Sequence, residues 1–147
     1  MSIIQISFRH LYKKYHYPVF NDYNLDIDNR KINFIMGING SGKTTLIKCL
    51  FNLINYQGEI KFNKNIKLIY IPEKVFLPDY IKMIDFIKLL TKEEDKTILD
   101  YLSLFKINIY SHQNLCNLSL GTRQKMLLIL GLLHKADGYV FDEPLNG

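Results

Sequence analysis

The eight residues GINGSGKT, at positions 37–44, constrain this chain more than any other stretch of its sequence. They match the pattern G-x-x-x-x-G-K-[ST] in full, after a short apolar run and before an amphipathic one. Glycines let the backbone come close to phosphate oxygens, while successive N–H groups and a helix N-terminus attract the anion. The pattern therefore predicts a strand, a polyphosphate-binding loop and a helix, rather than a glycine-rich turn with an incidental lysine.

The side chains of this loop have separate predicted roles. Lys43 brings a full positive charge to the β- and γ-phosphates, so we predict both a nucleotide-binding and a catalytic role for it. The hydroxyl of Thr44 is a hard oxygen ligand that suits Mg²⁺. The other predicted nucleotide-binding residues of this segment are Gly37, Asn39, Gly40, Ser41, Gly42 and Thr45.

An acidic pair near the other end of the sequence complements the loop. The apolar residues 139–141 run directly into Asp142 and Glu143. In phosphate-loop ATPases a strand beside the loop carries an Asp that holds Mg²⁺ through water, and Asp142 fits that role. Glu143 would orient and deprotonate the attacking water as a general base. Many strands end in acidic residues at a turn, so the pair predicts hydrolysis only because a complete phosphate loop precedes it.

Bulk properties favour one globular domain. The chain has 147 residues, of which 48% are hydrophobic, enough for a core of its own. The longest apolar run, 126–133, is too short to span a bilayer, and the first residues lack the order of a signal peptide. We therefore expect an intracellular protein, in which Cys49 and Cys116 are both buried and unpaired. The net charge of +5 is spread along the chain, which favours a solvated basic surface over a nucleic-acid groove.

Hydrophobic periodicity predicts an α/β core interrupted by a helical subdomain and preceded by a few antiparallel strands. A turn is expected at Pro18 and at the pair Asn21 and Asp22. Thr91 and Glu94 have the spacing of a capping box for a helix over 92–105. The remaining expected elements are strands over 2–8, 23–27, 32–36, 58–63, 66–71 and 138–141, a helix from 43 to about 54, helical structure over 79–109, and a buried helix through 126–133.

The residues that lie between the two phosphate-linked motifs resemble one family. The segment 118–126 reads LSLGTRQKM, and in this order of motifs it resembles the LSGGQ signature of ATP-binding cassette (ABC) ATPases. Ser119 and Gly121 are retained, while Leu120 replaces a glycine and Thr122 replaces the glutamine. Physically, Ser119 can cap the helix that follows, and its hydroxyl, the N–H of Gly121 and the helix dipole form a second anion site.

The resemblance implies further roles. Residues 119–122 would contact the γ-phosphate bound by a second ATPase subunit, so that a homo- or heterodimer encloses two ATP molecules head to tail. Tyr15 matches the aromatic residue that stacks on adenine. Glu73 occupies the place of a family glutamine near the γ-phosphate, where it could bind nucleotide or Mg²⁺ but cannot donate a hydrogen bond as glutamine does.

The resemblance also implies a fold: an α/β P-loop NTPase (RecA-like) core with N-terminal antiparallel strands and a helical signature subdomain. We divide it into 1–72, a β-subdomain and P-loop core, 73–121, a helical subdomain, and 122–147, the signature helix and Walker B strand. The family continues with an Asp-containing loop and a switch histidine. His10, His16, His112 and His134 all precede Asp142 and cannot fill that position, so we expect the C-terminal part of the domain to be missing.

Three functions follow from these features. The first is an ATP- and Mg²⁺-dependent ATPase subunit that is cytoplasmic, peripheral on the inner face of the membrane, and powers a separate transmembrane permease. The pair Pro72 and Glu73 resembles exporters of drugs, peptides or bacteriocins more than importers. The second is a non-transport ABC ATPase, although no nucleic-acid partner is expected. The third is a truncated ATP-binding module without turnover.

Overall fold

The computed structural model describes residues 5–28, 31–63, 65–73 and 75–142. The chain divides into two compact units, which we call unit 1 (Met1–Lys67) and unit 2 (Leu68–Gly147). The predicted three-part division at 72 and 121 stays a prediction. No helix among the described residues combines the length and the apolar character needed to cross a membrane.

Unit 1 contains an antiparallel sheet of three strands, β1 (Gln5–Lys14), β2 (Pro18–Asp28) and β3 (Gln57–Phe62), in the order β2-β1-β3. The expected antiparallel N-terminal strands are thus confirmed. The turn predicted at Pro18 and Asn21–Asp22 is wrong, because β2 begins at Pro18, a position where a strand tolerates proline. Asp22 instead sits inside β2 with a φ of 55°, opposite the irregular part of β1, as in a bulge.

One helix, α1 (Lys43–Leu50), follows the phosphate loop and buries Leu46, Ile47, Cys49 and Leu50. It ends four residues earlier than the periodicity suggested. Asn52 adopts a left-handed φ of 53°. Its N–H donates to the carbonyl of Cys49, and the N–H of Leu53 donates to that of Lys48. These two bonds are a Schellman motif, which stops a helix regardless of the apolar residues beyond it.

The apolar run before the loop is not a strand, contrary to the sequence-based expectation. Residues 32–38 have no regular secondary structure, and the side chains of Ile32, Phe34 and Met36 are more than 80% exposed. A strand requires a neighbouring backbone to satisfy its N–H and C=O groups. None of the named strands pairs with this run, so its hydrophobicity alone does not make it extended sheet.

Unit 2 is built on two parallel strands, β4 (Leu68–Ile71) and β5 (Gly138–Phe141), in register from Leu68 opposite Gly138 to Ile71 opposite Phe141. Parallel strands need a long crossover. Here the crossover contains α2 (Met83–Thr91), α3 (Asp95–Leu104), α4 (Leu120–Leu133) and the short 3-10 helices Asn108–Tyr110 and Leu115–Asn117. The predicted strands on either side of a helical insert are confirmed. Because Ile71 is paired with Phe141, the two strands end together, and Pro72 and Asp142 follow them at the same edge of the sheet.

The core of unit 2 comes mainly from the helices and the segments that join them. A continuous apolar cluster fixes the orientation of α4, and Gly131 lets α4 approach β4 closely, since a Cβ there would lie 2.6 Å from Cδ1 of Ile71. The fully or nearly buried members of the cluster are Met83, Ile84, Ile87, Ile98, Leu102, Ile107, Leu115, Leu118, Met126, Ile129, Leu130 and Leu133.

Two local expectations fail in unit 2. Thr91 is not an N-cap: it is the last residue of α2, and its hydroxyl donates to the carbonyl of Ile87 at 2.9 Å. The next helix instead starts after Glu94, without a side-chain cap.

Cys116 is exposed on a 3-10 helix, whereas Cys49 is buried as expected. Burial raises the pKa of the Cys49 thiol, against a smaller lowering effect of Lys13.

Candidate functional site

Residues 37–42 form a tight turn directly before α1. The N–H of Ser41 donates to the carbonyl of Ile38 at 3.1 Å, and Gly40 and Gly42 have φ values of 81° and 99°. The first helical bond then runs from the N–H of Leu46 to the carbonyl of Gly42 at 2.8 Å. The loop is largely exposed, so the N-terminus of α1 opens onto solvent, where it can accept an anion.

Lys43, the first residue of α1, holds its side chain over this turn. The ammonium donates to the carbonyls of Gly37 at 3.0 Å and Ile38 at 3.2 Å. These bonds keep a positive charge beside the loop and restrict the side chain before any ligand arrives. Thr44 and Thr45 lie on the same first turn and are half-buried, while Asn39 is exposed at the tip. The residues of the motif that were predicted to bind nucleotide thus lie together in the loop and the first turn of α1. Their contacts with nucleotide remain predictions.

Replacing Gly42 with alanine should destabilise unit 1 strongly. An added Cβ would lie 2.6 Å from Cγ1 of Val19 and 3.2 Å from Cζ of Phe20, in a left-handed conformation that alanine adopts poorly. Strain and overpacking together should cost about 3 kcal/mol of unfolding free energy, measured by urea denaturation.

Gly40→Ala is the matched control for this substitution. Gly40 is also left-handed, but a Cβ there meets nothing within 4 Å, so only backbone strain of about 1 kcal/mol should remain. Equal losses of stability in the two variants would contradict the close packing of the loop against β2.

Asp142, at the end of β5 in unit 2, is buried, with 5% of its surface exposed. Its N–H donates to the carbonyl of Ile71 at 3.0 Å, and its Oδ2 accepts a hydrogen bond from the hydroxyl of Tyr70 at 3.0 Å. Burial and the bond to Asp142 raise the pKa of Tyr70 to about 12. Tyr70 therefore stays protonated at neutral pH and acts as the donor in this pair.

Glu73 lies two residues beyond the end of β4. Its carboxylate also contributes to the raised pKa of Tyr70, after the effects of burial and of Asp142. Glu73 is half-buried. Both carboxylates thus act on one tyrosine and follow the ends of β4 and β5, and carboxylate oxygens are the ligands that a hard divalent cation prefers.

Ser119 caps α4, as the sequence predicted. Its Oγ accepts from the N–H of Thr122 at 3.2 Å and lies 2.9 Å from the Thr122 hydroxyl. Thr122 is buried, whereas Ser119, Leu120 and Gly121 are exposed. The start of α4 thus presents a fixed hydroxyl and the positive end of a 14-residue helix to solvent.

Sequence reasoning missed Arg123, which secures the segment before this helix. Its Nε donates to the carbonyl of Leu118 at 3.0 Å and its Nη2 to that of Cys116 at 2.8 Å. The side chain therefore fixes the path of the backbone into Ser119. An arginine four residues after a helix cap can reach backward to such carbonyls, which is the feature of the sequence that could have indicated it.

Tyr15 lies at the turn between β1 and β2, and its side chain is about half exposed. The ammonium of Lys13 lies 4.9 Å from the centre of its ring, a cation–π contact. Stacking on a base is sterically possible for an exposed ring of this type, but that role stays a prediction. His10, His16, His112 and His134 are all exposed, and His134 lies at the end of α4.

The predicted site residues thus form three groups. Tyr15 and residues 37–45 belong to unit 1. Glu73 and Asp142 follow the two parallel strands of unit 2, and residues 119–122 include the first residues of α4 in the same unit. Glu143, the predicted general base, lies outside the described residues.

Comparison with known proteins identifies the family. A family model described as ABC transporter matches residues 20–146. The zinc import ATP-binding protein ZnuC of Haemophilus influenzae is 34% identical over 129 residues, which are 86% of this chain and 48% of that protein. An uncharacterised ABC transporter ATP-binding protein of Methanocaldococcus jannaschii is 31% identical over 137 residues, 88% of this chain and 52% of that protein. The chain thus spans about half the length of these relatives.

Solved structures agree on the fold. An ABC transporter ATP-binding protein of Pyrococcus furiosus superposes with a TM-score of 0.83 and 27% identity, covering 97% of this chain and 77% of that one. A metal-chelate type ABC transporter in an inward-facing conformation gives a TM-score of 0.77 over 98% of this chain and 61% of that one. At 21% identity, the second likeness concerns the fold alone. With a matching family model, related sequences and a shared fold, this chain belongs to the ABC transporter ATP-binding family.

Proposed function

We propose that this chain is the ATP-binding and ATP-hydrolysing part of an ABC transporter, peripheral on the inner face of the membrane and coupled to a separate permease. The observation that carries the proposal is the phosphate loop, which turns directly into the N-terminus of α1 and holds the ammonium of Lys43 over its own carbonyls. A polyphosphate is the ligand that such a charged and donor-rich turn recognises.

The acidic edge of unit 2 fits Mg²⁺ as the accompanying cation. A buried carboxylate at Asp142 and a half-buried one at Glu73 supply hard oxygen donors. When bound, Mg²⁺ would neutralise charge on the β- and γ-phosphate oxygens.

The protein residues contribute positioning and proton transfer. Lys43 offsets the charge that develops on the γ-phosphate, and Tyr15 stacks on the adenine ring. Glu143 orients a water molecule for attack and accepts its proton as general base. These roles rest on the motif order and on family membership, and substitutions of Lys43 and Glu143 test two of them.

A second ATPase subunit is the proposed partner of the start of α4. Gly121 lies on the first turn, where alanine would be the better helix former. A Cβ on Gly121 would meet nothing within 4 Å, so packing among the described residues does not require the glycine. Close approach of an external group does explain it, and in the head-to-tail arrangement that group is the γ-phosphate bound by the partner.

Gly121→Ala should therefore separate stability from function. Removing the helix-disfavouring glycine should raise the free energy of unfolding by about 0.5 kcal/mol. The same change should lower ATP turnover of the full-length gene product at least about tenfold, because the added methyl group keeps phosphate away from donors at the helix start. The measurements are urea denaturation and steady-state phosphate release.

The affinity for MgATP of one isolated copy is the internal control for Gly121→Ala. It should stay unchanged, since the loop at residues 37–44 is intact. Unchanged turnover would show that nothing approaches Gly121 during hydrolysis and would remove the partner from the proposal.

The direction of transport that we propose is import. Pro72 and Glu73 suggested an exporter, and that expectation is unconfirmed. The curated relatives of Haemophilus influenzae and Pasteurella multocida, each 34% identical, are named as zinc import proteins, which favours import. Cells that lack the gene should take up less of the transported solute if import is right, whereas an exporter would leave uptake intact and change efflux.

A further inference from the structure

We propose that Tyr70 is a positioning residue for the Asp142 carboxylate and thereby for the divalent cation that accompanies the nucleotide. This inference rests on the proposed function, because it assigns Asp142 to that cation. Tyr70 lies on β4, and no motif of the phosphate site includes it. Its hydroxyl nevertheless donates to Oδ2 of Asp142 at 3.0 Å across 72 residues of sequence.

The parallel register of β4 and β5 makes this contact possible. Tyr70 is paired with Val140 and Ile71 with Phe141, so Asp142 lies just past the end of the ladder. The N–H of Asp142 donates to the carbonyl of Ile71 at 3.0 Å. The backbone of Asp142 is therefore fixed by β4, and the hydroxyl of Tyr70 fixes one of its carboxylate oxygens from the same strand.

Burial of Asp142 increases the effect of losing its hydrogen bond to Tyr70. Asp142 is only 5% exposed, so a lost hydrogen bond is poorly replaced by water. The loss would also remove one of the constraints on χ2 of Asp142, which is a broad torsion for aspartate. Groups that orient the ligands of a metal ion in this way typically affect metal affinity by 10- to 100-fold.

The test compares Tyr70→Phe with Tyr139→Phe. Tyr139 lies on the adjacent strand β5, and its hydroxyl accepts from the N–H of Ala136 at 3.3 Å instead of contacting Asp142. Both substitutions remove one phenolic oxygen from the same small sheet. The readout is Mn²⁺ binding to the full-length gene product with ATP present, followed through the electron paramagnetic resonance signal of free Mn²⁺ and corrected for ATP alone.

We expect Tyr70→Phe to raise the Mn²⁺ concentration at half-saturation about tenfold. ATP affinity in the presence of EDTA should not change. Tyr139→Phe should match the wild-type protein in both measurements. A Tyr70→Phe protein that binds Mn²⁺ like the wild type would overturn the inference while leaving the proposed function intact. A wild-type protein without saturable binding of ATP and Mn²⁺ would instead count against the proposed function.

A double-mutant cycle guards against a general structural effect. In an Asp142→Ala background no side-chain oxygen remains to accept the bond from Tyr70, so adding Tyr70→Phe should have no further effect on Mn²⁺ binding. The same fold-change in both backgrounds would mean that Tyr70 acts through packing and not through Asp142. Melting temperatures of all variants show whether each one is folded, and the cycle stays informative if Tyr70→Phe lowers stability.

Discussion

Substituting Lys43 with alanine is expected to abolish measurable MgATP binding, with Kd rising at least about 100-fold. The ammonium is the full positive charge that the structure holds over the phosphate loop, 3.0 and 3.2 Å from the carbonyls of Gly37 and Ile38. Its removal leaves those carbonyls facing the phosphate oxygens without a cation between them. A charge-assisted contact to phosphate is among the stronger single interactions that a side chain can make. Isothermal titration calorimetry with MgATP measures the loss.

Lys48→Ala is the control for this result. Lys48 lies in the last turn of the same helix, so its loss changes net charge and helix composition in the same way without touching the loop. We expect MgATP affinity within about twofold of the wild type, because salt screens the interaction between the distant Lys48 charge and the nucleotide. Equal losses in both variants would mean that overall positive charge, and not the placement of Lys43, attracts the nucleotide.

Glu143→Gln should lower ATP turnover by about 10² to 10⁴-fold, the usual contribution of a general base. Glutamine keeps the shape of the side chain and can still hydrogen-bond a water molecule, but it cannot accept the proton. MgATP affinity should remain close to that of the wild type, because Lys43 and the loop are unchanged. Steady-state phosphate release and calorimetry on the full-length gene product provide the two numbers.

Glu94→Gln makes the same chemical change at a position outside the predicted nucleotide site. Glu94 is exposed before α3 and makes no side-chain cap. Turnover in this variant should equal that of the wild type. If Glu143→Gln retains wild-type turnover as well, then another group activates the water and the catalytic assignment of Glu143 is wrong.

Sequence patterns predicted best the segments in which local chemistry determines structure. The loop at 37–44 depends on glycines and a helix start that are adjacent in the chain, and Ser119 caps α4 through an N–H only three residues away. Strands β4 and β5 were also predictable, because each is a short apolar run with a clear end. In these places periodicity, caps and turns all point to the same structure.

The failures come from interactions that a single stretch of sequence does not contain. The run 32–36 has the composition of a strand, but strand formation depends on a pairing partner elsewhere. Thr91 and Glu94 have the spacing of a capping box, yet α2 extends through Thr91, and Lys92 then leaves the helix with a left-handed φ of 58°. No sequence pattern indicated Tyr70, because its hydrogen bond to Asp142 forms only when β4 lies beside β5 and the two strands end together.

Multi-angle light scattering on the full-length Glu143→Gln protein at saturating MgATP determines whether two copies of the protein associate around ATP. If the loop of one copy and the start of α4 of another enclose each ATP, slow hydrolysis should trap a dimer that reverts to monomer when nucleotide is removed. A protein that binds MgATP but remains monomeric would contradict the head-to-tail arrangement. Residues 119–122 would then need another explanation than contact with a partner's nucleotide.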